Sequence, residues 1–222
     1  MLSLRALLPS GRPPVVLCVG AHADDVEIGC GGTLQVLLED VPEAEVHWLV
    51  LTGADERARE VEASARLFLG GAGAGRLVLG GLRDGYLPHE AARAKDLFES
   101  VKAELRPELV LTHHGDDAHQ DHRLASELTW NTWRDAMILE YEVPKWDGDL
   151  SRPNLYVPLS AEQLHRKTER LQAVYGSQRS KDWFDDEVFR GLARLRGMEC
   201  RADSGYAEAF HARKLLLGGF AR

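Results

Sequence analysis

VVLCVGAHADDVEIGCGGTL, residues Val15–Leu34, opens with five unbroken apolar residues and then breaks into small and acidic ones. An apolar run without polar alternation predicts a strand covered on both faces, the kind found in parallel sheets. Four more β-prone runs follow it: VHWLVLT from Val46, RLVLGG from Arg76, LVLTHH from Leu109 and MILEYEV from Met137. Helical spacing fills the intervals, over residues 32–38, 55–69, 91–105 and 122–135. The alternation predicts an α/β fold: a Rossmann-like open, mostly parallel sheet flanked by helices.

Beyond Val143 the texture changes. PKWDGDLSRPN clusters turn-forming residues ahead of the short apolar run LYVPL, which predicts an irregular excursion over 144–159. Three stretches with apolar residues at three- and four-residue intervals follow: AEQLHRKTERLQAVYG, WFDDEVFRGLARLRG and YAEAFHARKLLLG. They predict a C-terminal helical extension over 160–222. No repeat or long linker divides the chain, so the expectation is a single domain, 1–222, with its sheet core over 14–143.

Composition narrows the classes. With 222 residues, 44% of them hydrophobic, the chain can bury a core of ordinary size. Its net charge of −8 opposes binding to nucleic acid. No apolar run approaches the roughly 20 residues a bilayer crossing needs. The N-terminal MLSLRALLPSGRPP is leucine-rich, but Pro9, Pro13 and Pro14 break it and no small-x-small cleavage site follows, so it is not read as a signal peptide. Cys18, Cys30 and Cys200 form no CxxC pair, which suits a reducing, cytoplasmic compartment. Nothing in the sequence encodes an oligomeric state.

Two segments carry chemistry. Ligands of open α/β sheets gather at the carboxyl ends of strands, and His22, Asp24, Asp25 and Glu27 sit where the first strand ends. His22 and Asp25 are a nitrogen and an oxygen donor suited to Zn²⁺, leaving Asp24 free to act as a base on water. The competing reading is a capping box, with Asp24 and Glu27 on the first turn of a helix. Gly29, Gly31 and Gly32 serve either a ligand's close approach or tight helix-to-sheet packing, and they do not form a GxGxxG fingerprint. Cys30 reads as a small buried side chain. After the fourth strand, four histidines and three aspartates fall between His113 and His122. His122 would complete a His/Asp/His set with open coordination positions. His119, protonated and held by Asp121, would then face a developing oxyanion. The alternative is a solvated helix start, and His113, His114, Asp116 and Asp117 are assigned to it or to support behind the ligands.

Taken together, AHADDVEIGCGGT and HQDH resemble the PIG-L/LmbE-like family of zinc-dependent N-acetylglucosaminyl deacetylases, with Ala23 where the family usually has proline. GLRDGYLP around Asp84, YEVPKWD around Glu142 and YGSQRS around Gln178 are weaker echoes. The resemblance implies that His22, Asp25 and His122 bind Zn²⁺, that Asp24 is the general base, that His119 stabilises the oxyanion and that Asp121 orients it. It also implies a substrate-binding arginine after the second strand, either Arg57 or Arg59. Such a donor set also accepts Fe²⁺. The implied activity is hydrolysis of an N-acetyl group from an amino sugar or its conjugate. Tyr141, Trp146, Tyr156 and Trp183 offer stacking faces for a sugar, and all but Trp146 are assigned to the core. Two other classes compete: a nucleotide-binding transferase, opposed by the aspartates at the glycine-rich turn, and a non-catalytic sugar- or metal-binding module.

Overall fold

The computed structural model describes residues 12–70 and 74–215; the leucine-rich start, residues 1–11, lies outside them. All five expected strands form: β1 (Val15–Gly20), β2 (Glu45–Thr52), β3 (Ala74–Leu82), β4 (Leu109–His113) and β5 (Met137–Tyr141). They pair in parallel in the order β3-β2-β1-β4-β5. Alternation along a strand explains the unbroken apolar runs, because Val16 and Cys18 enter one core layer while Leu17 and Val19 enter the other. Helices α1 (Asp25–Asp40) and α2 (Asp55–Leu69) cover the first layer; α3 (Ala91–Glu104) and α4 (Gln120–Thr132) cover the second. The chain steps outward from β1 through β2 to β3, then returns to β1's other side with β4. Strand order therefore reverses between β1 and β4, and a crevice opens there outside their carboxyl ends. Both histidine- and aspartate-bearing segments leave the sheet at that point.

Beyond Tyr141 the structure corrects the sequence reading twice. LYVPL, assigned to the irregular excursion, is strand β6 (Leu155–Leu159), and it accommodates Pro158 because it is a sheet edge. Of the three expected helices, two form, α5 (Ala161–Val174) and α6 (Asp186–Glu199). The third begins as strand β7 (Tyr206–His211), antiparallel to both β5 and β6; its residues after Leu215 lie outside the described ones. YAEAFH fits either periodicity, and the open edge of β5 decides: its free backbone groups are satisfied by a strand. The sheet is thus mixed and, among the described residues, seven-stranded. No helix among the described residues is long and apolar enough to cross a membrane.

Helix α1 starts earlier than the expected Gly32–Leu38 segment and breaks its helical geometry at Cys30 (φ −143°, ψ 15°). Gly29 allows this helix to press on the sheet, since a Cβ there would lie 2.2 Å from the Tyr141 ring. The backbone groups at the kink are satisfied by a buried ion pair. Glu208 of β7 accepts the Gly32 and Thr33 amides at 2.8 and 2.6 Å, and Lys167 of α5 donates to Ile28 O at 2.6 Å and to Glu208 at 2.7 Å. This explains why a strand carries an inward-facing glutamate. Removing one partner strands a buried charge, which typically costs about 3–5 kcal/mol. Lys167→Met is therefore expected to lower unfolding free energy by about that amount in urea titration.

Candidate metal centre and cleft

The turn leaving β1 and the loop leaving β4 are tied at their base: Ala21 N donates to His113 Nε2 at 2.9 Å. This places His22 and Asp25 of the first segment against His122 of the second. His22 Nδ1 lies 3.1 Å from His122 Nε2 and 3.3 Å from Asp25 Oδ2, and His122 Nε2 lies 3.5 Å from Asp25 Oδ1. A tetrahedral ion with bonds of about 2.0–2.1 Å holds its donors about 3.3 Å apart, which the two imidazole nitrogens match, while Asp25 reaches them with a different oxygen each.

Neighbouring groups narrow the choice of donors. Among the described residues three overlapping donor sets exist, His22/His119/His122, Asp25/His113/His122 and His22/Asp84/Asp121, each with its atoms within 4.8 Å. His113 Nε2 is taken by Ala21 N, and His119 Nδ1 accepts the Asp121 amide at 3.2 Å. The Asp121 carboxylate receives the Gly85 and Leu87 amides at 2.7 and 3.1 Å. Asp25 Oδ2 takes the His22 amide at 2.6 Å, while Oδ1 still faces His122. His22 Nδ1 and His122 Nε2 belong to the first set, Asp25 and His122 to the second, and the trio expected from the sequence spans the two. Asp117 accepts from His122 Nδ1 at 2.9 Å, which turns Nε2 toward the shared point.

The electrostatics point the same way. Burial opposes charge on His22 and His122, but Asp25, with Asp121 and Asp84 beside His22 and Asp117 beside His122, raises both imidazoles above their ordinary range. Burial also works to raise Asp25, yet His122, His113 and His22 hold it well below the usual carboxylate range. Two imidazolium nitrogens 3.1 Å apart repel each other, whereas a divalent cation meets the same demand for positive charge without that conflict. Burial and His122 keep His113 neutral, down to about 4.

Asp24 stands at the start of α1 but makes no capping bond, and Glu27 is bound by the Tyr175 hydroxyl, so the capping-box reading does not hold. Burial pushes the Glu27 carboxyl up to about 8. Arg57 Nη2 donates to Asp24 Oδ1 at 2.7 Å, and Asp24 Oδ2 is buried with no partner among the described residues. Burial raises the Asp24 carboxyl more than Arg57 lowers it. Arg57 lines the cleft, whereas Arg59 is exposed on α2 and does not. His119 differs from expectation. Burial, His122 and His22 lower its basicity, and it meets Asp121 through that residue's amide rather than its carboxylate. With Nδ1 accepting, Nε2 is the nitrogen that carries hydrogen. The Asp121 carboxylate instead faces His22 Nε2 at 3.3 Å.

These groups floor a cleft of about 350 Å³. Its walls include Asp84, whose Oδ1 lies 3.2 Å from His22 Nε2, Lys145 from the loop after β5 and Gln178 from a short 3-10 turn after α5, none of which has a role assigned from the sequence. Trp146, 70% exposed, stands edge-to-face with Trp183, ring centres 6.2 Å apart. Trp183 thus belongs to the cleft rim as well as the core margin, while Tyr141 is fully buried.

A doubly wound sheet with His and Asp side chains clustered at its switch point defines an α/β protein with a candidate metal site. A model of the PIG-L family, described as GlcNAc-PI de-N-acetylase, matches residues 17–133, and the chain belongs to that family. The conserved protein TT1542 of Thermus thermophilus is similar in structure (TM-score 0.70, 25% identity, covering 93% of this chain and 98% of that one). N,N'-diacetylchitobiose deacetylase of Pyrococcus horikoshii shares the fold (0.63, 22%, 89% and 82%). So does GalB, the 4-carboxy-2-hydroxymuconate hydratase of Pseudomonas putida (0.69, 18%, 94% and 100%).

His122→Ala removes one candidate donor and leaves Asp25 and His22 in place. The expected result is a folded protein that loses zinc on dialysis, checked by atomic absorption alongside circular dichroism.

Proposed function

We propose that this chain is a metal-dependent hydrolase that cleaves the N-acetyl amide of an amino sugar or its conjugate, yielding acetate and a free amine. The observation that carries the proposal is Asp24: a buried carboxylate with one oxygen held by Arg57 and the other unpartnered among the described residues, adjoining the His22/Asp25/His122 donor set on the cleft floor. Membership of a de-N-acetylase family supports the reaction class.

His22, Asp25 and His122 would hold the ion, Zn²⁺ in the first instance and Fe²⁺ as the alternative. When bound, it would polarise the acetyl carbonyl and acidify water at the site. Asp24 Oδ2 accepts a proton from the attacking water as the new C–O bond forms. His119 Nε2–H donates to the carbonyl oxygen as negative charge develops there. The C–N bond then breaks, and Asp24 returns its proton to the departing nitrogen. Asp121 orients His22 through Nε2, and Arg57 fixes which Asp24 oxygen is free. Trp146 and Trp183 at the cleft mouth offer faces for a pyranose. The substrate is a small molecule; the chain's net charge of −8 argues against nucleic acid, and three free cysteines agree with a reducing cytoplasm.

Asp24→Asn removes the base and none of the three donors. It is expected to retain zinc and to lose about 10²–10⁴-fold in turnover, the usual share of general-base catalysis. Acetate release from a panel of N-acetylated amino sugars, with and without chelator, checks this. Full turnover in Asp24→Asn would contradict the role given to Asp24, and zinc binding without release by the wild type would instead indicate a binding module.

A further inference from the structure

Behind His122 a line of charged groups runs out of the site into the loop that carries Trp146. Asp117 uses one carboxylate oxygen on His122 Nδ1, at 2.9 Å. Its other oxygen takes the His119 amide at 2.7 Å and faces Lys145 Nζ at 3.1 Å. Lys145 in turn lies 2.6 Å from Asp149 Oδ2, and that same oxygen accepts the Ala118 amide at 2.7 Å. The Lys145 side chain is only 9% exposed and Asp117 only 5%, so this is a largely dry network rather than a surface pair. Lysines are rarely buried without carboxylate partners, and here both partners touch the segment that positions the donor histidine.

From this arrangement we infer that Lys145 is a positioning residue that couples the substrate-facing loop, residues 144–149, to the His122 donor. Its ammonium pairs with the Asp117 oxygen that His122 does not use, which fixes the carboxylate that receives His122 Nδ1. Through Asp149 it also clamps the loop against the backbone at Ala118. Trp146, next in the chain, is thereby held over the cleft at a set distance from the donor set. Outer partners of metal-bound histidines typically contribute 10–100-fold in metal affinity, and Lys145 would act one link beyond such a partner.

The inference rests on the metal-site reading above. Its test compares the full-length wild type with Lys145→Met, Asp149→Asn and the double variant. Zinc affinity is measured by competition with a chromophoric chelator, and thermal unfolding of the stripped proteins is followed in parallel. Lys145→Met is expected to weaken zinc binding about tenfold or more, with Asp149→Asn shifting it less in the same direction. Residues that act as one unit give non-additive losses, so the double variant is expected to be no weaker than Lys145→Met alone. Should Lys145→Met fail to fold, Asp149→Asn still reports on the link. Wild-type zinc affinity in both single variants overturns the inference while leaving the metal site standing; so do additive losses, or losses that track a fall in stability of the stripped protein. A wild type that binds no zinc overturns the metal site and this inference together.

Discussion

Two buried carboxylates on one imidazole are the constraint from which the rest of the site follows. Asp25 approaches His22 Nδ1 at 3.3 Å, Asp121 approaches Nε2 at 3.3 Å, and neither carboxylate side chain is more than 4% exposed. Low-dielectric surroundings make their combined negative charge costly unless something positive sits among them. The same demand raises His22 and His122 against the effect of burial. The sheet supplies the means, since its switch point brings the ends of β1 and β4 together and the Ala21–His113 bond fixes their separation.

Around this centre the polypeptide satisfies its local irregularities with charges from elsewhere in the chain. The break in α1 at Cys30 is closed by Lys167 and Glu208, residues of α5 and β7. Glu60 accepts the Ser177 amide at 2.9 Å and its hydroxyl at 2.7 Å, binding the YGSQRS turn to α2 beside Arg57. The C-terminal third, which carries no proposed metal donor, therefore helps to keep the turn after β1 in shape and builds one side of the cleft. GalB, a hydratase on the same fold, shows that the scaffold does not by itself fix the reaction. The particular side chains at the switch point must do so.

Much of this was legible from residue patterns. The five parallel strands declared themselves as apolar runs because both faces of each are covered. His22, Asp25 and His122 stood out as donor types at the ends of two such runs. What remained hidden depended on three-dimensional partners. YAEAFH fits helix and strand alike, and only the open edge of β5 makes it a strand. Asp121 follows His119 within HQDH, yet its carboxylate turns to His22, 99 residues away in the chain, because the Gly85 and Leu87 amides hold it there. Lys145 lies in a segment without periodicity, and the choice of Arg57 over Arg59 depends on which side of α2 faces Asp24.

Anomalous diffraction from crystals soaked in zinc would locate the ion among these side chains. A single strong peak bonded to His22 Nδ1, His122 Nε2 and Asp25 is expected, with donor distances of about 2.0–2.2 Å. A peak on the other side of His22, between Asp84 and Asp121, or no ordered ion at all, would contradict that expectation.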